Sequence, residues 1–276
     1  MKLSLAFSPS PNDTFIFDAL VNHKLHKKSY EFLVSIADIE QLNWFALEGE
    51  MDIVKISYAV YPLISEQYQL LTSGSELGYG NGPLLVSKKK IYPDEVSFLK
   101  IAIPGKNTTA NLLLHSAFPE VTNTYEYLFS DIMSVVLDNE TDAGILINEA
   151  QFTYEQKGLQ VVADLGAQWE KKTSLPVPLG GIAIRRSLPE AVKLDIVQLI
   201  RRSLEAANQF PEGALPYMKK QAKGLHESVI WKHLNQFIND FSLDLGDQGK
   251  IAINELLRVS GKLNQKTELK QPVFVG

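Results

Sequence analysis

Through its first two thirds the chain alternates short apolar or period-two runs with longer stretches whose apolar residues recur every three to four positions. LSLAF (3–7), YEFLVSI (30–36), DIVKIS (52–57), PLLVS (83–87), KIAIPG (100–105), DAGILIN (142–148) and GIAIRR (181–186) read as strands. Between them, DIEQLNWFALEGE (38–50) and TTANLLLHSAF (108–118) open on Asp or Thr and carry helical apolar spacing. Such alternation builds crossover units, so the pattern predicts an α/β protein with largely parallel sheets. After Leu188 the pattern becomes helical over 189–210, 211–222, 229–238 and 247–263, and this run reads as packing rather than chemistry.

Two stretches interrupt the alternation: the Gly-rich SGSELGYGNGP (73–83) and SLPVPLGG (174–181). Two crossings imply a discontinuous arrangement, with one lobe formed by 1–85 and 180–276 and a second lobe inserted over 90–178. No internal repeat or low-complexity segment is present.

With 276 residues and 45% hydrophobic content the chain can bury a substantial core, in keeping with two lobes. Its net charge of −5 supplies no basic face, and SKKK (87–90) and MKK (218–220) are too short to follow a phosphate backbone, so no nucleic-acid partner is expected. The absence of cysteine excludes disulfides, thiolate metal sites and a cysteine nucleophile. No run approaches the ~20 apolar residues of a membrane span, and the first strand follows Met1 and Lys2 without the pattern of a secretory signal. A soluble, cytoplasmic protein with no membrane partner is the expectation; oligomeric state is not legible.

His23, His26, His115, His226 and His233 fall in no metal-ligand spacing, so no metal site is expected. Four of them read as surface or structural, and His115 as a half-buried helix residue. In SPSPNDTFIF (8–17), Pro9 and Pro11 stiffen a loop after the first strand. There Asn12, Asp13 and Thr14 either cap a helix and nothing more, or leave helix amides facing a cleft. PGKNTTA (104–110) puts Gly105 at a turn and Thr108 and Thr109 at a helix start. Lacking the GxxxxGK[ST] spacing, it suits a carboxylate or sugar hydroxyl better than a triphosphate, a plain threonine cap being the other reading. DIVKISYA (52–59) ends a strand with Lys55, Ser57 and Tyr58, a cation beside two hydroxyls, or else marks an exposed sheet edge. DAGILINEAQFTY (142–154) is an apolar strand that ends in Asn148, Glu149 and Gln151, followed by Phe152 and Tyr154, and ligands of open α/β sheets bind at such strand ends. Glu149 there is a candidate base or hydroxyl-orienting group, or simply a cap or salt-bridge partner. No GxSxG elbow supports a hydrolase. These residues alone describe a two-lobed small-molecule binder.

The segments SPSPNDTFIF, NWFALEGE with Asn43, DIVKISYA, SGSELGYGNGPLLV, PGKNTTA, NEAQFTY, DLGAQWEKKTSLPVPLGGIA and NDFSLDLGDQG together resemble the 1,4-dihydroxy-6-naphthoate synthases of the futalosine route to menaquinone. The resemblance covers nearly the whole chain. It implies a two-lobed fold of the type II periplasmic-binding-protein kind with a central cleft. The implied activity is a lyase reaction that releases 1,4-dihydroxy-6-naphthoate from cyclic dehypoxanthinyl futalosine, without metal or organic cofactor. It further implies that Lys55, Ile56 and Ser57 line the substrate site on one lobe and Thr109 and Ala110, with Thr108 adjacent, on the other. Asn12, Asp13, Thr14 and Tyr154 are further cleft candidates. The family's proton acceptor is a histidine in an IHE context, and this chain carries Asn148 within INE. A carboxamide fills nearly the same space but has no useful basicity, so turnover is expected to fall severely with binding kept. The change is either a replacement made to hold a ligand or a natural loss, and Glu149 is the neighbouring group that could take over.

Three rivals share the fold. A transporter's solute-binding protein for small carboxylates would carry an export signal or lipid-anchor cysteine, and a regulator's effector domain would carry a helix-turn-helix before the first strand. The sibling enzyme chorismate dehydratase is similarly built but differs at the SPSPNDTFIF and NEAQFTY segments.

Overall fold

The computed structural model describes residues 1–25, 30–222 and 224–276, and His26 lies outside them. In chain order the strands are β1 (Lys2–Phe7), β2 (Glu31–Ile36), β3 (Ile53–Ser57), β4 (Tyr68–Leu70), β5 (Glu76–Gly78), β6 (Leu84–Ser87), β7 (Ile101–Ile103), β8 (Thr124–Glu126), β9 (Ala143–Leu146), β10 (Gln160–Asp164) and β11 (Val177–Arg185). Among the described residues they form a six-stranded sheet, β2–β1–β3–β11–β4 with β5 also on β11, and a five-stranded sheet, β10–β6–β9–β7–β8.

The seven strands expected from the apolar pattern are all present, and four short ones were not foreseen. The expectation of largely parallel sheets needs correction. β1 runs parallel to β2 and β3, and β7 to β8 and β9. β11, however, is antiparallel to β3, β4 and β5, and β6 is antiparallel to β9 and β10. The cause is the double crossing: β6 opens the second sheet and β11 re-enters the first, and each runs against the crossover strands beside it. β11 therefore begins inside SLPVPLGG, and the return crossing and the GIAIRR strand are one element.

Pro11–Val21 is a helix buried along nearly its whole length. Its Phe15, Ile16, Phe17 and Leu20 pack with Ile196, Ile200 and Leu204 of helix Glu190–Gln209 and Ile230 and Leu234 of helix Glu227–Phe237. Each buried aliphatic or aromatic side chain contributes about 1.5–3 kcal/mol, so this seam fixes the C-terminal helices on the sheet that contains β1. The first crossing is fixed as well. Leu165 N–H donates to the Pro83 carbonyl at 3.0 Å, and a Cβ at Gly82 would lie 2.2 Å from Gly166 Cα, an approach only paired glycines permit.

Among the described residues no helix is long and apolar enough to cross a membrane.

Candidate active site

The C-terminal end of β3, the N-terminal ends of two helices and the turn after β9 meet at a cavity of about 60 Å³ between the sheets. Pockets that hold drug-sized ligands measure roughly 300–1,000 Å³, so admitting one here requires the two walls to part.

On the first-sheet wall, Ser57 is held by Asn43 from helix Ile39–Leu47. The Ser57 N–H donates to Asn43 Oδ1 at 2.8 Å, and Asn43 Nδ2 donates to Ser57 Oγ at 3.3 Å. On the second wall, Thr108 caps helix Thr109–Ala117, its hydroxyl donating to the Gly105 carbonyl (2.7 Å) and accepting from Asn111 N–H (3.3 Å). The threonine-cap reading thus holds for Thr108. Thr109 does something else: its hydroxyl crosses the cleft, donating to the Leu179 carbonyl of β11 at 2.7 Å and accepting from Ala59 N–H at 3.3 Å. Thr109 and Ala110 both line the cavity.

The floor carries charge. Lys55 Nζ lies 2.9 Å from Asp13 Oδ1 and 3.3 Å from Glu76 Oε2, with side-chain exposures of 2%, 1% and 11%, so two carboxylates share one buried ammonium. Burial alone would push the lysine down, but Asp13 and Glu76 outweigh it and hold its pKa above the ordinary value. Burial is the main cause of the raised Glu76 pKa, Asp13 adds to it, and Lys55 and Asn12 oppose it. The exposed-edge reading of Lys55 is corrected: β3 is an interior strand, and its lysine is tolerated because both counter-charges are built in. Gly180 makes the room, since a Cβ there would fall 3.1 Å from Lys55 Cε and 2.8 Å from the Ile56 carbonyl.

Behind the floor His233 is wholly buried, its Nε2 2.9 Å from Asn12 Oδ1 and its ring 4.5 Å from that of Phe237. Burial and the charge of Lys55 push its pKa down to about 3, so the ring is neutral and Nε2–H donates to Asn12. Sequence reasoning grouped it with surface or structural histidines. The apolar spacing of Ile230, Leu234 and Phe237 puts His233 on the inner face and would have flagged it.

Asn148 opens the turn after β9 with φ 55°, and its Nδ2 donates across the cleft to Ser10 Oγ at 3.2 Å. Of the residues expected at the site, Asn12, Asp13, Lys55, Ser57, Thr108, Thr109, Ala110 and Asn148 line the cavity. Four others are not in its lining. The Ile56 side chain points to the opposite face of β3 by strand alternation and packs in the core. The Thr14 hydroxyl turns back to the Ser10 and Pro11 carbonyls. Tyr154 packs against the second-sheet core, and its hydroxyl donates to Glu155. Glu149 has Oε2 enclosed without a hydrogen-bond partner, and burial raises its pKa. Gln151, named at the end of the β9 strand, is in the lining, while sequence reasoning missed Ser8, Glu76 and Phe237 there. Among the described residues no group of three or more His, Cys, Asp and Glu side chains could hold a metal ion.

A sequence model of the family described as menaquinone biosynthesis matches residues 3–262. A curated 1,4-dihydroxy-6-naphthoate synthase of Thermus thermophilus is 40% identical over 273 residues, 99% of each chain. A crystal structure of an Archaeoglobus fulgidus protein superimposes with a TM-score of 0.90 at 34% identity, covering 96% of this chain and 98% of that one. The fold is that of periplasmic binding proteins: the alkanesulfonate-binding protein of Xanthomonas axonopodis pv. citri gives a TM-score of 0.76 at 11% identity, over 99% and 97% of the two chains.

Proposed function

The chain belongs to the menaquinone biosynthesis family, and we propose that it is a lyase that releases 1,4-dihydroxy-6-naphthoate from cyclic dehypoxanthinyl futalosine. The observation that carries this reading is the convergence of Ser57 with Thr109 and Ala110, from opposite walls, on one cavity. The start of helix Thr109–Ala117 offers free amides and a hydroxyl to a substrate carboxylate, and Ser57, held by Asn43, offers a hydroxyl from the other side. Parting of the walls admits the substrate, and closure removes water and fixes it between them. Asn148 stands where the family resemblance puts the proton acceptor. Its carboxamide can hold a substrate polar group but cannot take a proton near neutral pH, so this chain binds well and turns over slowly.

The test is incubation with cyclic dehypoxanthinyl futalosine and, separately, with chorismate, with product detected by mass spectrometry and binding by calorimetry. Thr109→Val and Ser57→Ala are each expected to weaken binding of the futalosine derivative by about 3- to 10-fold, the size of one hydrogen bond. Unchanged affinity in both variants removes these residues from the site. Turnover of chorismate alone reassigns the chain to the dehydratase.

A further inference from the structure

Without an imidazole at position 148, the carboxylates on cleft-forming segments are Glu149, Asp13, Glu76 and Glu40, and Glu40 is taken up by Asn43 and Asn107. Glu149 does not line the cavity, and its Oε2 is enclosed. Asp13 lines the cavity, but its oxygens are engaged: Oδ2 accepts from Ser8 N–H (3.1 Å) and Ser8 Oγ–H (2.7 Å), and Oδ1 faces Lys55 at 2.9 Å. Glu76 lines the cavity from β5, is 8% exposed, and meets Lys55 at the longer distance of 3.3 Å.

We propose that Glu76 is the proton-accepting carboxylate of this cleft, the catalytic residue through which the chain turns over its substrate while Asn148 holds the histidine position. This rests on the lyase reading above. The geometry supplies the reason: two carboxylates share one ammonium and all three side chains are largely buried, so the cluster carries one negative charge more than it neutralises and readily binds a proton. The groups that face Glu76 are Lys55 on β3, Asp13 and Asn12 on helix Pro11–Val21, and Tyr58 just after β3. His233, behind Asn12, is neutral and adds no charge. In the step itself, a carboxylate oxygen of Glu76 takes a proton from the substrate. The electron pair of the broken bond stays on the substrate and expels the leaving fragment, and Glu76 returns the proton to that fragment. No oxidant or reductant is required.

The experiment measures single-turnover rates on cyclic dehypoxanthinyl futalosine from pH 5 to 9, with calorimetric affinity and thermal midpoint, for the unsubstituted chain, Glu76→Gln, Glu76→Asp, Asn148→His and Asn148→His/Glu76→Gln. Glu76→Gln is expected to lower the rate by about tenfold or more while changing affinity less than about threefold, and to abolish the acid inflection of the pH profile; Glu76→Asp is expected to regain part of the rate. In the Asn148→His background the same substitution is expected to cost much less, because the imidazole takes the proton. Equal rates for Glu76→Gln and the unsubstituted chain overturn the proposal, as does product from Asn148→His with none from the unsubstituted chain, or an equal fractional loss in both backgrounds. Absence of product from every form, Asn148→His included, overturns the lyase reading itself and the proposal with it.

Discussion

Replacing Asn148 by histidine isolates the chemical contribution of one side chain, because the local backbone is already suited to it. The φ of 55° lies in the left-handed region that Asn, Asp and His enter more readily than other side-chain-bearing residues, so the turn after β9 need not rearrange. Imidazole Nδ1 can take the place of the carboxamide nitrogen opposite Ser10 Oγ, and the ring's far edge has the cavity of about 60 Å³ beside it. At worst the Ser10 contact is lost, a cost of about 0.5–1.5 kcal/mol in closure rather than in chemistry. General-base catalysis is worth about 10²–10⁴ in rate, or about 2.7–5.4 kcal/mol of barrier at about 1.36 kcal/mol per decade. The gain exceeds the cost. Because Glu76 already supplies about tenfold of this, we expect Asn148→His to raise kcat by about 10–10³, with substrate affinity altered less than about tenfold and a new inflection near the ordinary histidine value of about 6.5. The assay is product release by mass spectrometry, with enzyme in excess over substrate and rates followed across pH. Equal rates for the two forms at every pH would falsify the assignment of a proton-accepting role to this position.

Three further outcomes follow from the buried groups. Lys55→Met leaves Asp13 and Glu76 buried without their counter-ion and is expected to lower unfolding stability at pH 7 by about 3–5 kcal/mol, less in acid where the raised Glu76 takes up a proton; urea unfolding at pH 7 and pH 5 measures both. His233, held down to about 3 in the fold against about 6.5 unfolded, contributes stability that is present above pH 6.5 and lost as pH falls toward 3. Between pH 6.5 and 5 the chain should therefore lose about 1.6 kcal/mol more than its His233→Gln variant, the slope rising toward about 1.4 kcal/mol per pH unit, and parallel losses would return His233 to an ordinary exposed titration. Gly82→Ala drives a methyl into the Gly166 backbone and should cost about 1–3 kcal/mol; a thermal midpoint within a degree of the unsubstituted chain would show that the crossing is looser than its geometry implies.

The sequence exposed the parts of the site that obey local rules. Ser57 ends β3 of the first sheet, while Thr108, Thr109 and Asn148 follow the parallel strands β7 and β9 of the second, so each set lies at the C-terminal edge of its own sheet. Lys55 was ambiguous because its burial depends on Asp13 and Glu76, which local pattern cannot bring beside it. Glu76 itself was hidden: β5 is only three residues long inside a Gly-rich stretch, and its pairing with β11 is a long-range event. The same holds for β4, β8 and β10, short strands whose existence is decided by their partners rather than by their own composition. The parallel expectation failed because periodicity reports which residues are buried, not which way the neighbouring strand runs.

The Thr109 bonds to Leu179 and Ala59 and the Asn148 bond to Ser10 have a thermodynamic corollary. The hydroxyl best placed to meet a ligand already has two partners on the opposite wall, so the ligand competes with the protein for its own site. Measured affinity is then the intrinsic affinity scaled by the fraction of molecules whose walls are parted. Substitutions that loosen these contacts without touching the ligand should tighten binding, and re-formation of the contacts after turnover biases the cleft toward expelling its product.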